Sequence, residues 1–255
     1  MIDCHCHLEQ KDYDKDRERI IEQCKQKLKA LVTCAAHPRD ITLTLELVKK
    51  YKGFVFCSVG IHPEYIKEIS EKEINKTIKE IEENKREISA IGEIGLDYYW
   101  IKEPEWREKQ KELFRKMIVL AKRLNLPLII HSRDATEDAI KILEQEGMKN
   151  KRVLMHMFND RKFLQRVIDN DWFISIGPGI KKSKDIKKIA RDTPLSKIML
   201  ETDSPWFAQE GQKYGMPLNV KIACEKIAEI KHISIEEVEK QTDLNAIEFF
   251  NLGIK

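Results

Sequence analysis

The sequence has no long apolar run. No stretch of its 255 residues approaches the about 20 consecutive apolar residues that a membrane-spanning helix needs. Its first residues also lack the basic and apolar regions of a secretory signal peptide. We therefore expect no membrane partner and a cytoplasmic location.

The sequence also lacks the cysteine spacing of a disulfide framework or a cysteine-based metal site. Its six cysteines include no Cys-x-x-Cys pair and lie mostly in apolar, strand-like segments. Buried reduced thiols have this distribution, which again favours the cytoplasm.

There is no excess of charge of one sign. Lys and Arg number 46 against 43 Asp and Glu, which gives a net charge of +3. A near balance argues against a protein whose whole surface binds nucleic acid, although it leaves room for a local basic patch. Hydrophobic residues make up 42% of the chain, enough for a sizeable core.

Short apolar segments alternate with long amphipathic ones along the chain. The predicted strands are 1–6, 30–36, 54–61, 88–96, 127–130, 153–157, 172–176 and 197–200. The predicted helices are 15–28, 41–50, 70–86, 105–124, 134–146, 160–168 and 183–191, with closing helices 225–230 and 234–240. Eight strands alternating with helices predict an α/β fold, a (β/α)8 TIM barrel, in a single domain over residues 1–255.

A doubly wound open sheet is the alternative fold. It usually has fewer strands, and a nucleotide-binding version carries a glycine-rich turn after its first strand. This chain has His5-Cys6-His7 there and no glycine. The pattern therefore favours the barrel.

Two histidines lie on the first predicted strand. Because side chains alternate between the faces of a strand, His5 and His7 share one face. Cys4 and Cys6 alternate with them and are expected to face away, which argues against a mixed Cys/His zinc site. Two imidazoles on one face are typical of half a metal site.

Later strand ends supply further ligand types, and in a barrel the carboxyl ends of all strands meet at one end. The candidate ligands are His5, His7, Glu93, His131, His156 and Asp203. Each alone has a structural explanation, such as a hydrogen-bonded histidine or a helix cap, but six together predict a metal site. Glu201 shares the face of Asp203 one pleat deeper, and we choose Asp203 because it lies at the rim.

The ligand set suits two divalent ions better than one closed structural site. Glu93 lies on the fourth predicted strand, where a carboxylate can bridge two ions. Imidazole ligands favour zinc, manganese, iron or nickel, whereas magnesium prefers oxygen ligands and water. We expect two ions of Mg, Mn or Zn.

Six motifs in order carry a family resemblance. They are Asp3-Cys4-His5-Cys6-His7, Gly60-Ile61-His62-Pro63, Gly92-Glu93-Ile94-Gly95-Leu96-Asp97-Tyr98, His131-Ser132-Arg133-Asp134-Ala135, His156-Met157-Phe158 and Glu201-Thr202-Asp203-Ser204-Pro205. Over nearly its whole length the chain resembles the TatD family of metal-dependent deoxyribonucleases. The sequence departs from the family pattern at Glu64, where a histidine is usual.

The resemblance implies an amidohydrolase-like TIM barrel with a two-metal centre. One ion would be held by His5, His7, Glu93 and Asp203, and the other by Glu93, His131 and His156. The implied activity is hydrolysis of DNA phosphodiester bonds, and we expect it to act on single-stranded or 3′ ends.

We expect Asp203 and Glu93 to be catalytic, with Asp203 accepting a proton from the attacking water. Arg133 is a candidate phosphate clamp, or else the partner of a carboxylate such as Asp134 or Glu137. His62 can contact a phosphate or orient a ligand.

The aromatic residues near the strand ends have two possible roles. Tyr98, Tyr99, Trp100 and Trp206 can stack on bases or pack beneath loops.

Two rival functions remain. An amidohydrolase acting on a cyclic amide, an ester or an aminoacyl-tRNA bond would be indicated by a carbamylated lysine bridging the ions, but the sequence offers Glu93 for that role. A non-catalytic metal-binding scaffold is disfavoured by the complete ligand set.

Overall fold

The computed structural model describes residues 1–254. Eight parallel strands form one sheet in chain order, and each pairs with the next. They are β1 Ile2–Cys6, β2 Ala30–Ala35, β3 Val55–Val59, β4 Ile88–Asp97, β5 Leu128–Arg133, β6 Val153–Met155, β7 Phe173–Ile176 and β8 Ile198–Leu200. The predicted (β/α)8 barrel is confirmed and the open-sheet alternative is wrong.

Helices connect successive strands and cover the outside of the barrel. They are α1 Arg17–Lys25, α2 Ile41–Lys50, α3 Glu71–Glu83, α4 Pro104–Leu124, α5 Thr136–Gln145, α6 Leu164–Asp169, α7 Lys184–Asp192, α8 Val220–Lys231 and α9 Ile235–Phe250. None of the helices in residues 1–254 is long and apolar enough to cross a membrane.

The barrel closes where the end of β8 meets β1. The backbone N–H of Asp203 donates to the carbonyl of His5 at 3.0 Å, and the N–H of His7 donates to the carbonyl of Ser204 at 2.8 Å. These bonds hold the two ligand-bearing segments side by side.

Apolar side chains pack on both faces of the barrel wall. One cluster takes residues from six strands and lies inside the barrel, where Phe249 and Phe250 of α9 pack against its lower layer. The larger cluster lies between the wall and the helices. Cys6 belongs to this outer cluster as expected, but Cys4 belongs to the inner one. That expectation for Cys4 was wrong because the register of β1 against β2 shifts between Asp3 and Cys6.

Local signals fix several element ends. The Ser70 hydroxyl accepts the N–H of Glu73 and the Glu73 carboxylate accepts the N–H of Ser70, so the two residues form a reciprocal cap at the start of α3. Three elements extend well beyond their predicted bounds. β5 continues from Ile130 to Arg133, α9 continues from Lys240 to Phe250, and α8 begins at Val220 and not at residue 225. Tertiary packing, which a local pattern does not contain, decides these extensions.

A glycine makes the extension of β5 possible. Gly95 has φ of 140° and lies opposite His131 in the ladder. A Cβ at this position would lie 2.0 Å from the carbonyl oxygen of His131. Only glycine tolerates this approach, which brings β4 and β5 together beside the candidate ligands.

Candidate metal centre

The buried carboxylate of Glu93 lies at the centre of the cluster at the carboxyl ends of the strands. Its Oε2 faces β1, at 3.4 Å from Nε2 of His5 and 3.7 Å from Nε2 of His7. Its Oε1 faces the other way, at 2.8 Å from Nδ1 of His131 and 3.5 Å from Nε2 of His156. The two oxygens therefore face different pairs of histidines, although the pairs adjoin: the ring centroids of His5 and His156 are 4.0 Å apart.

We call the first group half-site one; it consists of His5, His7, Asp203 and Oε2 of Glu93. The two histidine Nε2 atoms are 3.1 Å apart, and Oδ1 of Asp203 lies 3.7 Å from that of His5 and 3.4 Å from that of His7. Ligands about 2.1 Å from a tetrahedral ion are separated by about 3.4 Å. The spacing matches that of a set that encloses one ion.

We call the second group half-site two; it consists of His131, His156 and Oε1 of Glu93. The ring centroids of His131 and His156 are 6.4 Å apart, against 4.9 Å for His5 and His7. His131 is hydrogen-bonded directly to Glu93. The residues predicted to hold a second ion are thus adjacent but more widely spaced than those of half-site one.

His62 lies beside half-site two, with Nε2 at 3.4 Å from Oε1 of Glu93. Its distances alone would fit a ligand. However, Nδ1 of His62 accepts the backbone N–H of Glu64 at 3.2 Å. A neutral ring that accepts at Nδ1 carries its proton on Nε2, so His62 presents a donor to the cavity and not a lone pair.

Three of the histidines face Glu93 with one ring nitrogen and have another carboxylate on the opposite ring nitrogen. Nδ1 of His7 lies 3.0 Å from Glu9, and Nδ1 of His156 lies 2.6 Å from Glu201. For His131 the nitrogens are reversed, and Nε2 lies 2.9 Å from Asp97. Such partners fix which nitrogen of a ring carries the proton and which is free to bind a metal.

Glu9 and Asp97 were not among the residues predicted from the sequence, and Glu201 was considered there only as a rival ligand. Glu201 does share a strand end with Asp203, as predicted, but it is fully buried behind His156, whereas the Asp203 carboxylate is 17% exposed. Asp203 is therefore the more exposed of the two carboxylates, and its role as a ligand stays a prediction. Only the spacing of two residues from His7 to Glu9 could have suggested one of these partners.

Burial and the neighbouring charges have opposite effects on the pKa values of the clustered side chains. Burial alone would lower the pKa of His131 and of His156, but Asp97 and Glu93 raise that of His131 to about 9, and Glu201 and Glu93 raise that of His156 to about 10. Burial opposes ionisation of Glu93, but the surrounding histidines hold its pKa well below the usual range. Burial lowers the pKa of His5, whose Nδ1 has no hydrogen-bond partner.

These donors fit divalent metal ions. The Nε2 atoms of His5 and His7 face each other across 3.1 Å, where at most one proton can lie between them. Imidazole nitrogens and ionised carboxylates converge on the same space, and this is the donor set of catalytic zinc and manganese sites.

The backbone at Asp203 has an unusual conformation. Its φ is 54°, in the left-handed region that residues other than glycine rarely adopt, although aspartate and asparagine tolerate it best. The hydrogen bond to His5 at the barrel seam holds this conformation. It aims the carboxylate at half-site one.

A cavity of about 380 Å³ opens above the cluster. Arg133 is the one Lys or Arg side chain that lines it within residues 1–254. Its guanidinium lies 3.7 Å from the ring centroid of Tyr99 and forms no ion pair with Asp134 or Glu137 among the described contacts. The stacked guanidinium remains available to an anion in the cavity.

Exposed aromatic rings line the cavity mouth. Trp100 and Trp206 are 58% and 48% exposed, and Phe207 lies beside Trp206. Tyr98 instead packs inward, with its hydroxyl donating to Asp138 at 2.8 Å. Tyr98 therefore packs within the protein. The two tryptophans are exposed at the cavity mouth, and stacking on bases stays a prediction for them.

A larger cavity, of about 820 Å³, lies at the opposite end of the strands. It contains none of the clustered histidines, and its lysines lie near the carboxyl ends of helices, whose partial negative charge they offset. The ligand cluster, rather than cavity size, locates the functional site.

Comparison with known proteins identifies the family of the chain. Residues 2–251 match the family model described as TatD related DNase. The chain is 36% identical to human deoxyribonuclease TATDN3, over 98% of this chain and 94% of that one. It is 35% identical to the uncharacterized metal-dependent hydrolase YabD of Bacillus subtilis, over 99% and 100%.

The fold has a close structural counterpart as well. The structure of YjjV, a TatD homologue from Escherichia coli, superposes with a TM-score of 0.89 over 98% of both chains at 22% identity. At that identity the likeness concerns the fold.

The barrel, its converging nitrogen and carboxylate ligands and its relatives define a metal-dependent hydrolase acting on ester bonds. The match extends over nearly the whole chain. The protein belongs to the TatD-related DNase family.

Proposed function

We propose that this hydrolase cleaves DNA phosphodiester bonds with two divalent ions that share Glu93. The observation that carries the proposal is the division of the Glu93 carboxylate, with Oε2 facing His5 and His7 and Oε1 facing His131 and His156. A carboxylate placed in this way between two groups of imidazoles is suited to bridging two ions.

His5, His7, Glu93 and Asp203 would hold one ion, and Glu93, His131 and His156 the other. Mg, Mn and Zn are the candidate ions: the imidazole nitrogens suit Zn, and the carboxylates of Glu93 and Asp203 suit Mg or Mn. When bound, such ions lower the pKa of a coordinated water and polarise a phosphoryl oxygen.

The chain's own residues complete the proposed chemistry. Asp203, at the rim of half-site one, accepts the proton of the attacking water. His62 donates from Nε2 to a phosphate oxygen in the cavity, and the Arg133 guanidinium binds a second oxygen of the same phosphate. Glu93 keeps its charge throughout because the surrounding histidines stabilise the ionised form.

DNA as the substrate rests on the relatives named deoxyribonucleases and on the shape of the cavity mouth. The exposed rings of Trp100 and Trp206 can stack on bases that are not already paired in a duplex. We therefore propose single-stranded DNA or frayed 3′ ends. Six free cysteines are consistent with a reducing, cytoplasmic location.

The amide- or ester-cleaving alternative has less support. No lysine lines the cavity within the described chain, so no bridging carbamate can form there, and a stacked arginine suits a phosphate better than a neutral amide.

A substrate panel after metal removal tests the proposal. The chelated protein should be inactive on single-stranded DNA, and adding Mg, Mn or Zn should restore hydrolysis, with little turnover of a cyclic amide or an aminoacyl ester. Full activity of a metal-free preparation would contradict the metal mechanism. Faster turnover of the amide or ester than of DNA would contradict the proposal that DNA is the substrate.

A further inference from the structure

Glu201 lies at the end of β8 with both carboxylate oxygens fully engaged. Oε2 lies 2.6 Å from Nδ1 of His156, and Oε1 accepts the backbone N–H of Met157 at 2.7 Å. The side chain is completely buried. One carboxylate therefore holds both the ring of His156 and the backbone that follows it.

We propose that Glu201 is a positioning residue that keeps the proton of His156 on Nδ1 and so leaves Nε2 free for a metal ion in half-site two. The proposal rests on the proposed two-metal function. Oε2 of Glu201 accepts only if Nδ1 carries hydrogen, and a neutral imidazole with hydrogen on Nδ1 has its lone pair on Nε2. That nitrogen is the one that faces Glu93, at 3.5 Å.

The hydrogen-bond inventory explains why a carboxylate is required here. Both partners of Glu201, the His156 ring and the Met157 N–H, are donors, so the residue must accept twice. Glutamine has the same shape but only one acceptor oxygen. If its NH2 group faces His156, the ring must accept at Nδ1 and moves its proton to Nε2. If the NH2 group faces Met157, two donors meet in a buried site, which is costly.

Glu9 provides a matched comparison in half-site one. Its Oε1 lies 3.0 Å from Nδ1 of His7, but its Oε2 faces the hydroxyl of Thr33 at 3.1 Å. A hydroxyl can donate or accept, so the amide of a glutamine can donate to Thr33 while its oxygen still accepts from His7. Glu9→Gln thus removes the same negative charge without forcing a change of tautomer.

Zinc titrations of the two variants test the proposal. Each protein is titrated with Zn²⁺ against a chromophoric chelator of known affinity, and Co²⁺ absorption spectra report the ligand environment. Glu201→Gln should weaken binding of one ion by about 10- to 100-fold, the range known for lost partners of metal-bound histidines, whereas Glu9→Gln should stay below about 10-fold. In Glu201→Gln, the Co²⁺ ion in half-site one should keep the absorption spectrum that it has in the wild-type protein.

Equal weakening in both variants would overturn the proposal, because loss of charge alone would then explain it. Unchanged affinity in Glu201→Gln would overturn it as well. Wild-type protein that binds a single Zn²⁺ would instead contradict the proposed two-metal function, so the two failures are distinguishable.

A second measurement needs no variant. Long-range ¹H–¹⁵N correlation spectra of the wild-type protein loaded with Zn²⁺ identify the protonated nitrogen of each ring. His156 should be protonated at Nδ1, as should His7, and His131 at Nε2. A proton on Nε2 of His156 would contradict the assigned role of Glu201 even if Glu201→Gln fails to fold.

Discussion

The backbone N–H of Glu64 donates to Nδ1 of His62 at 3.2 Å. This bond comes from the turn His62-Pro63-Glu64, in which the histidine caps a short 3₁₀ helix. It uses the backbone of Glu64, so the position that departs from the family pattern still contributes to the site. Because Nδ1 accepts, Nε2 carries the proton and points toward Oε1 of Glu93.

Replacing His62 should therefore lower catalysis without removing metal. His62→Ala loses one donor to a charged phosphate oxygen, worth about 1.5 to 3 kcal/mol, so kcat/KM should fall by about 10- to 150-fold. Metal content, measured by mass spectrometry, should be unchanged. His37→Ala is the control, because His37 accepts the N–H of Arg39 in the same kind of turn but does not line the cavity. Loss of an ion in His62→Ala would show that His62 is a ligand.

Asp203 offers a substitution that preserves its backbone. Asn tolerates a φ of 54° far better than most residues, so Asp203→Asn should fold normally, as judged by circular dichroism and thermal unfolding. The amide cannot accept the proton of the attacking water, and we expect a loss of at least about 100-fold in kcat on single-stranded DNA. Wild-type turnover in this variant would exclude Asp203 as the base.

Trp206 should affect substrate binding more than chemistry. Its ring packs edge-on against His7, with centroids 4.7 Å apart, yet 48% of the residue is exposed at the cavity mouth. Loss of one stacked base costs about 1 to 3 kcal/mol, so Trp206→Ala should raise KM for single-stranded DNA by about 5- to 150-fold. Turnover of a small phosphodiester that carries no aromatic group is the control and should change much less. An equal loss on both substrates would assign Trp206 to the chemistry.

Metal binding should release protons near neutral pH. In the metal-free protein, burial is outweighed by carboxylate partners, which raise the pKa of His131 to about 9 and that of His156 to about 10. Both rings are then doubly protonated at pH 7.5, and an ion must displace one proton from each. Affinity should rise with pH, then level off above about 10.

Calorimetry in buffers of different ionisation enthalpy measures this release directly. The slope of observed enthalpy against buffer enthalpy gives the number of protons. A slope of zero at pH 7.5 would mean that the rings are already neutral and that their carboxylate partners do not raise their pKa.

Much of the fold and of the ligand set is predictable from the sequence. Alternating apolar and amphipathic segments identify eight strands, and the rule that active sites form at the carboxyl ends of barrel strands selects His131 and His156 as well as His5. The prediction that residues 1–255 form one domain stays a prediction. β5 and α9 both end later in the chain than the sequence predicts. Tertiary packing extends both elements, and a local sequence pattern does not contain that information.

The partners behind the histidines were not predictable in the same way. Asp97 reaches His131 from the neighbouring strand, and Glu201 reaches His156 across 45 residues of sequence. Side-chain direction, nitrogen by nitrogen, depends on register and on backbone turns such as the one after His62. For the same reason, distance alone groups His62 with the ligands, whereas its hydrogen bond to Glu64 assigns it a different role.

The central claim is that two ions share the carboxylate of Glu93. Anomalous diffraction at the manganese edge, from crystals grown with Mn²⁺, tests it most directly. The account predicts two peaks, one among His5, His7 and Asp203 and one between His131 and His156, with Glu93 contacting both. A single peak, or a second one away from Glu93, would contradict it.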